Sequence, residues 1–528
     1  MGFAVNIAQK LIKSFTAKDY KRFVKNAGNM GGIQEYLLFL LLKRNANTQF
    51  GRRHYFAKIR SMEEFRDKVP VQQYEDLQPY IEEITAGSKG VLTATPVSKL
   101  VPTSGTTGFN KLIPYTTDTI AEFNKALNAW MHDLYLQYPK LTKGRAFWIL
   151  SPPGKMPEVE SAVPIGFADD DSYFGKAGSW LINKTMVLPA HINQNKNARD
   201  HMQAMCKYML AASDLNLISV WNPSYLVSLL RYISENRESM LNNGSMDGTS
   251  PVRLNQKRLQ MLGSVIKEDI YATRWKEIWP DLQLISCWTH GWAASQVPAI
   301  NKLFENTPIQ GKGLLATEGV VTIPFGECHL PAYYSHFLEF ADEAGKVYLA
   351  QELEQGKTYE VIITTGSGLY RYRLNDLVKV TSFHLGLPSL EFMGKSNVVS
   401  DLVGEKLSEP VVASILETLR REINTSAPLF FLGPCEQNGL FYYTLYSDDS
   451  AVDSSMAEKL DKALKQVFYY AHARDFNQLA APRIFCMDPD DRERYMAAPS
   501  SGQHSAAKQL SLNRQMNLFK SLKGKFKN

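Results

Sequence analysis

At 528 residues, 44% hydrophobic and 21% charged, the chain is too long for one ordinary domain and too apolar to be disordered. Its net charge of +6 comes in part from the closing KSLKGKFKN, which lacks the interleaved aromatics of a nucleic-acid arm, so no nucleic-acid partner is expected. Five cysteines (Cys206, Cys287, Cys328, Cys435, Cys486) stand far apart with no C-x-x-C pair, and the ten histidines are equally scattered. That argues against a disulfide scaffold or a structural zinc site and for a reducing compartment.

At the N-terminus, Lys10 and Lys13 interrupt the place where a signal peptide needs its apolar core, and Asn6 stands where a myristoylation motif prefers Ser or Thr. The apolar run Leu37 to Leu42 is too short to span a bilayer. The expectation is a soluble, cytoplasmic protein with no membrane partner.

Residues 1–95 read as mainly helical: Ile33, Leu37, Leu38 and Leu41 follow a 3.6-residue period, and Glu63 to Val69 ends at Pro70. Next comes TSGTTGFNK, Thr103 to Lys111, between the short apolar segments Leu100-Val101 and Leu112 to Tyr115. This predicts strand, loop, strand. Thr103, Ser104, Gly105, Thr106, Thr107, Gly108 and Lys111 offer what a polyphosphate needs: glycines that let backbone N–H groups turn inward, hydroxyl donors and a cation. The spacing is not that of a Walker loop, and a plain Gly/Ser/Thr hairpin accounts for it as well.

Asp118 to Tyr138 is predicted as a long helix. Strands are predicted at Arg145 to Ser151, Thr185 to Leu188, Leu215 to Trp221, Leu282 to Trp288 and Ile309 to Ala316, with helical patterns between several of them, so the fold class is α/β. Beyond Gly394 a smaller α/β unit is expected. It has a helix Pro410 to Ile423 capped by Ser408, a strand pair Leu429 to Leu432 and Leu440 to Leu445, a helix Met456 to His472 and a strand Arg483 to Met487.

Two further segments carry chemistry. LLATEGV places Thr317 and Glu318 at a strand end, where α/β sheets meet ligands; a single hard carboxylate there suits Mg²⁺ shared with phosphates, though an edge turn would look the same. LYRYRLNDLVKV, Leu369 to Val380, alternates like a strand and reaches Asp376, which could accept two hydrogen bonds from a ribose diol; a surface strand with ion pairs is the alternative.

In this order, TSGTTGFNKLIPYT, SVWNPSYL, ISCWTHGWAAS, IQGKGLLATEGVVTIPF, GLYRYRLNDLVKVT and SDLVGEKLSE resemble the auxin-responsive acyl acid amido synthetase (Gretchen Hagen) family of adenylate-forming enzymes, bacterial-type members in particular. The likeness runs almost end to end. It implies a large N-terminal adenylate-forming α/β domain with mixed sheets (1–394) and a smaller C-terminal α/β domain (395–528) on a tight hinge. It also implies ATP and Mg²⁺, and transfer of an acyl group from an acyl adenylate to an amine, with an amino acid as the expected amine. An acid–thiol ligase and a non-catalytic nucleotide-binding protein are the rival readings.

Position by position, the resemblance gives the 103–111 loop to the phosphates, Thr317 to the α-phosphate and Glu318 to the metal. Asp376 and Tyr372 go to the ribose and adenine side, Lys395 to the hinge, and Trp288 with His290 to the acyl pocket. Lys508 is assigned as the mobile catalytic lysine. The sequence departs from the family twice: Asn375 replaces the usual Gly before the ribose-binding Asp, and the lysine segment is stretched to Gly502–Leu510 without its Pro-Arg. Because Asn tolerates positive φ, the turn at 375 is expected to survive.

Overall fold

Helix dominates the first ninety or so residues of the computed structural model, as the 3.6-residue period predicts. The structure describes the chain except residues 1, 103–110, 150–159, 167–179, 182, 190–191, 193–197, 222, 243–251, 291–292, 295–296, 397–398, 401, 403–404, 406, 426, 428, 438–439, 450, 476–478, 498–510, 514 and 528. Helix α1 (Gly2–Asn26) and helix α2 (Met30–Asn45) open the chain. Leu38, Leu41 and Leu42 of α2 are buried together with Gln34, whose amide donates to the carbonyls of Tyr333 and His336 and accepts from the Leu338 N–H. A polar residue thus sits in the apolar stripe with its partners supplied. The Met62–Lys68 helix, capped by the Ser61 hydroxyl, ends with only Val69 between it and Pro70.

The predicted strand–loop–strand is an antiparallel pair, β1 (Lys99–Pro102) and β2 (Leu112–Tyr115), with Leu100 facing Pro114. The loop residues 103–110 lie outside the described residues. The Thr117–Gln137 helix follows, capped by Thr116. A four-stranded, all-parallel sheet has the order β3 (Arg145–Trp148), β4 (Leu215–Ser219), β5 (Leu284–Cys287), β6 (Ile309–Gly311). Of the predicted strand Thr185 to Leu188, only Met186 pairs, in one bridge to Ala146.

The predicted strand Ile309 to Ala316 is two strands in two sheets. A Cβ on Gly313 would stand 2.1 Å from the Thr322 carbonyl oxygen, so the chain can pass there only as glycine. It leaves the parallel sheet and forms the hairpin β7 (Leu315–Ala316) and β8 (Gly319–Val320). A second hairpin, β9 (Thr322–Phe325) and β10 (Cys328–Pro331), follows directly.

Next comes a five-stranded antiparallel sheet of order β12-β11-β13-β14-β15: β11 (Phe337–Ala341), β12 (Val347–Leu349), β13 (Thr358–Thr364), β14 (Tyr372–His384) and β15 (Leu387–Lys395). Only β14 shows the alternation that marks a strand. FLEFA of β11 is buried throughout, and TYEVIIT of β13 nearly so, which erases the period-two signal.

The smaller C-terminal α/β part has its own apolar clusters, built from Leu402 onward. The predicted helix is Glu409–Glu422; the Ser408 side chain makes no capping bond to it. The strand pair is β16 (Phe430–Gln437) with β17 (Leu440–Ser447), and β18 (Arg483–Cys486) joins β17 in parallel, which the helical connection between them permits. The predicted helix Met456 to His472 is broken into Ser455–Leu464 and Phe468–Asp475. Leu464 and Tyr470 are both fully buried, and six residues of unbroken helix would turn one of them about 120° away.

Candidate active site

Tyr74, the first residue of the Tyr74–Thr85 helix, is where the three chemical segments meet. Its hydroxyl accepts the Leu112 N–H at 2.9 Å, and the Lys111 ammonium stands 5.1 Å from its ring centroid. Burial raises its pKa, and the Glu318 carboxylate adds to that shift. Tyr372, at the start of β14, is buried; burial drives its hydroxyl well above the ordinary tyrosine range, with Glu318, Tyr74 and Asp376 among the neighbours adding to the shift. From the other side, the Tyr115 hydroxyl of β2 donates to the Thr317 carbonyl at 2.8 Å. The structure therefore brings together Lys111, Thr317, Glu318 and Tyr372, with Asp376 farther along β14. Sequence reasoning missed Tyr74 and Tyr115; only the apolar run around Tyr115 marked it, as part of a strand.

Thr317 and Glu318 are the two loop residues of the β7–β8 hairpin, half-buried at its tip. The hairpin is held from behind. A Cβ on Gly319 would stand 3.2 Å from His336 Nε2, whose other nitrogen is 3.0 Å from the buried Glu122 carboxylate. Glu122 in turn accepts the Gly366 N–H with both oxygens, at 3.0 and 2.9 Å. One carboxylate at the tip is what Mg²⁺ asks of a protein when phosphate oxygens complete its shell, so Glu318 fits that role.

Asp376 is 0% exposed and lies opposite Lys395 in the β14–β15 register, with the Lys395 ammonium 2.5 Å from its Oδ1. Lys395 also donates to the Leu374 carbonyl at 3.2 Å, and neither Asp376 oxygen has a hydrogen bond of good geometry. Just before it, Asn375 has φ +58°, the left-handed conformation that the Gly-to-Asn departure requires. Arg371 and Arg373 do form the ion pairs of the alternative reading: Arg371 with Glu339 at 3.0 Å, and Arg373 with Glu360 at 3.0 Å. One segment thus carries both these ion pairs and the candidate site residues Tyr372 and Asp376.

The C-terminal ends of the parallel strands form a second, aromatic region. Trp148 ends β3, Trp221 follows β4 and Trp288 follows β5; Trp221 and Trp288 have ring centroids 5.5 Å apart. Lys312, just past β6, is buried and points its ammonium at the rings of Trp130, Trp148 and Trp221, at 5.1, 5.3 and 5.1 Å, while donating to Ser219 Oγ at 2.7 Å. Burial pulls its pKa down to about 7. The sequence reading overlooked Lys312, which carries no motif.

His290 stacks edge-on against His329 at 4.9 Å, and its Nε2 is 3.8 Å from Glu391. Burial lowers the pKa of both histidines, that of His329 to about 4, with His290 contributing. His290 is therefore a neutral, partnered histidine beside the aromatic region. Lys508 and the 103–110 loop lie outside the described residues; the chain re-enters at Ser511 and Leu512, whose N–H groups both donate to the buried Glu409 carboxylate at 2.6 Å.

The family comparisons agree with this geometry. The model of the GH3 family N-terminal domain matches residues 19–309, and that of the GH3 family central domain matches residues 329–395. An indole-3-acetic acid-amido synthetase of Arabidopsis thaliana, GH3.4, is 24% identical over 435 residues, covering 74% of this chain and 72% of its own. A probable indole-3-acetic acid-amido synthetase of the same plant, GH3.1, is 25% identical over 485 residues, covering 85% and 79%. Among solved structures, GH3.15 acyl acid amido synthetase matches with a TM-score of 0.80 at 18% identity over 92% of each chain. A 2-hydroxyisobutyryl-CoA ligase in the postadenylation state matches at 0.53 and 12% identity over 93% and 90%, so the two share the adenylate-forming fold. With more than half its length matched by the N-terminal domain and the central domain following in order, this chain belongs to the GH3 family.

Proposed function

We propose that this enzyme is an ATP-dependent acid–amine ligase: it activates a carboxylic acid as an acyl adenylate and passes the acyl group to an amine, an amino acid in the reading we favour. The observation that carries it is the meeting of Lys111, the Thr317-Glu318 hairpin tip and Tyr372 around Tyr74, with Asp376 farther along the strand that Tyr372 opens. A carboxylate oxygen of the acid attacks the α-phosphorus and pyrophosphate leaves. The amine nitrogen then attacks the acyl carbon, AMP leaves with the bonding pair, and the nitrogen loses its proton. Neither step needs a nucleophilic side chain; both need positioning and neutralised charge.

In this scheme Lys111 and the 103–108 residues hold the phosphates, Thr317 addresses the α-phosphate, and Glu318 holds Mg²⁺, which supplies charge neutralisation when bound. Asp376 receives the ribose hydroxyls. Since Lys395 covers Asp376, we infer that residues 395–528 turn about Lys395-Ser396 to admit nucleotide, and that Lys508 enters the site in one orientation. The tryptophans at the parallel strand ends suit an aromatic acid, as do relatives named for indole-3-acetic acid. The test is acid-dependent pyrophosphate release, first without an acceptor and then with amino acids or coenzyme A, with product mass read out. Glu318→Gln should lose activity across a Mg²⁺ titration. Pyrophosphate release at the wild-type rate in that variant would remove Glu318 from the metal site, and a thioester product would replace the amine with a thiol.

A further inference from the structure

Helix α1 has two faces of different character. Its inner face is fixed to the protein: Val5, Ala8, Thr16 and Phe23 are buried, Gln9 donates to the Gly144 carbonyl at 2.9 Å, and Thr16 meets His132 at 3.3 Å. Its outer face carries Phe3, Ile7, Leu11 and Phe15, which are 82%, 43%, 50% and 72% exposed. Spaced four apart, they make one stripe about 18 Å long. The same face then turns basic, with Lys18, Lys21, Arg22 and Lys25 all exposed and Lys10 beside the stripe. The helix's one acidic residue, Asp19, is drawn aside by Asn128, whose amide donates to it at 2.7 Å.

We propose that the outer face of α1 is a docking surface for an anionic lipid bilayer. Phe3, Ile7, Leu11 and Phe15 would enter the boundary between headgroups and acyl chains, and the basic half would lie against anionic headgroups. Charge complementarity selects this occupant. A second copy of the chain fits poorly: antiparallel pairing sets Lys18 to Lys25 against the partner's apolar stripe, and parallel pairing sets basic on basic, so either way cations are buried without partners. No described helix is long and apolar enough to cross a membrane, so the contact is peripheral. Every fourth residue carries this surface, so no continuous apolar run marks it in the sequence. The proposed site residues lie on other elements, so docking leaves the chemistry of the preceding section untouched.

The experiment is flotation of the full chain with phosphatidylcholine vesicles alone and with vesicles containing about a third phosphatidylserine. Wild type should float with the anionic vesicles at least tenfold more than with the neutral ones, and high salt should abolish the difference. The double variant Phe3→Ser, Phe15→Ser should lose flotation while keeping the wild-type melting temperature and secondary structure. Lys18→Glu, Lys21→Glu, Arg22→Glu together should weaken it by about a hundredfold. Wild type that stays in solution with both vesicles overturns the proposal, and so does flotation that neither variant reduces. Gel filtration showing a dimer that the Phe3, Phe15 variant dissolves would mean a second copy covers this face, which also overturns it.

Discussion

Arg371 and Lys312 are both cations taken out of water, and the protein treats them in opposite ways. Arg371 keeps its charge: Glu339 lies 3.0 Å from its Nε, and its Nη1 donates to the carbonyls of Arg66 and Val69 at 3.0 and 2.8 Å. Lys312 has one hydroxyl and three indole faces, and among the described residues no carboxylate acts on it. The first arrangement satisfies a fixed charge and ties the 62–69 region to β11 and β14, which is a structural task. The second leaves an amine that burial lets go neutral near pH 7, at the strand ends where ligands bind. A fully paired buried charge marks the frame; a half-paired one marks a place where stability has been given up.

The sharpest way to break this contrast is to remove Arg371's partner. Glu339→Gln leaves the guanidinium, and Arg66 beside it, without a carboxylate, since Arg66 Nε lies 2.9 Å from the other Glu339 oxygen. Breaking one side of a buried pair costs about 3–5 kcal/mol. Urea denaturation should show a loss of that size, and a midpoint within error of wild type would mean the pair contributes little.

Asp376 stands between the two cases, paired by Lys395 yet without a well-formed hydrogen bond. If it is held ready for ribose, Asp376→Ala removes charge-assisted bonds worth about 1.5–3 kcal/mol each. ATP affinity by calorimetry should then fall roughly tenfold to a thousandfold. Unchanged affinity would assign Asp376 to the frame with Arg371.

Lys312→Met tests the other pole. Below the folded-state pKa of about 7 the lysine is charged both folded and unfolded, so the full burial penalty is present. Between about 7 and the unfolded value of 10.5 the unfolded chain binds the extra proton, so wild-type stability rises with pH through that window. Replacing a buried charge by an apolar side chain of similar volume is neutral to stabilising by about 1–4 kcal/mol. The variant should therefore melt higher than wild type at pH 6.5–7, by a margin that shrinks toward pH 10, while its kcat/KM for the acid falls and its ATP affinity holds. A variant that melts lower at pH 7 would show that the indoles pay back the lysine's desolvation in full.

Legibility in the sequence followed the same divide. Motifs with several chemical groups in a row, Thr317-Glu318 and Tyr372 to Asp376, stand out in the sequence because hydroxyls and carboxylates are rarely clustered for packing alone, while the 103–110 loop lies outside the described residues. Single residues that become important only through folding do not stand out. Lys312 looks like any lysine after a glycine, and Tyr74 like any residue opening a helix. The five-stranded sheet stayed hidden because β11 and β13 are buried on both faces, and the strand Ile309 to Ala316 was overextended because Gly313 gives no hint of the carbonyl pressed against it. The Gly-to-Asn change at 375 was readable, since it names a backbone angle and nothing else.

That change offers the smallest test, on the backbone that joins Arg371 to Asp376. Arg371 at φ +50° and Asn375 at φ +58° flank the first turn of β14, each a non-glycine residue in the left-handed region. Around Asn375 the Ser396 N–H donates to its carbonyl at 2.8 Å, so the conformation is pinned from the β15 end. Asn375→Gly should relieve the left-handed cost but widen the freedom of the unfolded chain, two effects of about 0.5–1 kcal/mol that oppose each other. The urea midpoint should move little, and ATP affinity should stay within about twofold, under 0.5 kcal/mol. Asn375→Ala keeps the cost without asparagine's tolerance and should lose about 1 kcal/mol. A gain of tenfold or more in ATP affinity for Asn375→Gly would mean that the asparagine holds Asp376 away from its ligand, and that the departure at this position tunes nucleotide binding and is more than a tolerated turn residue.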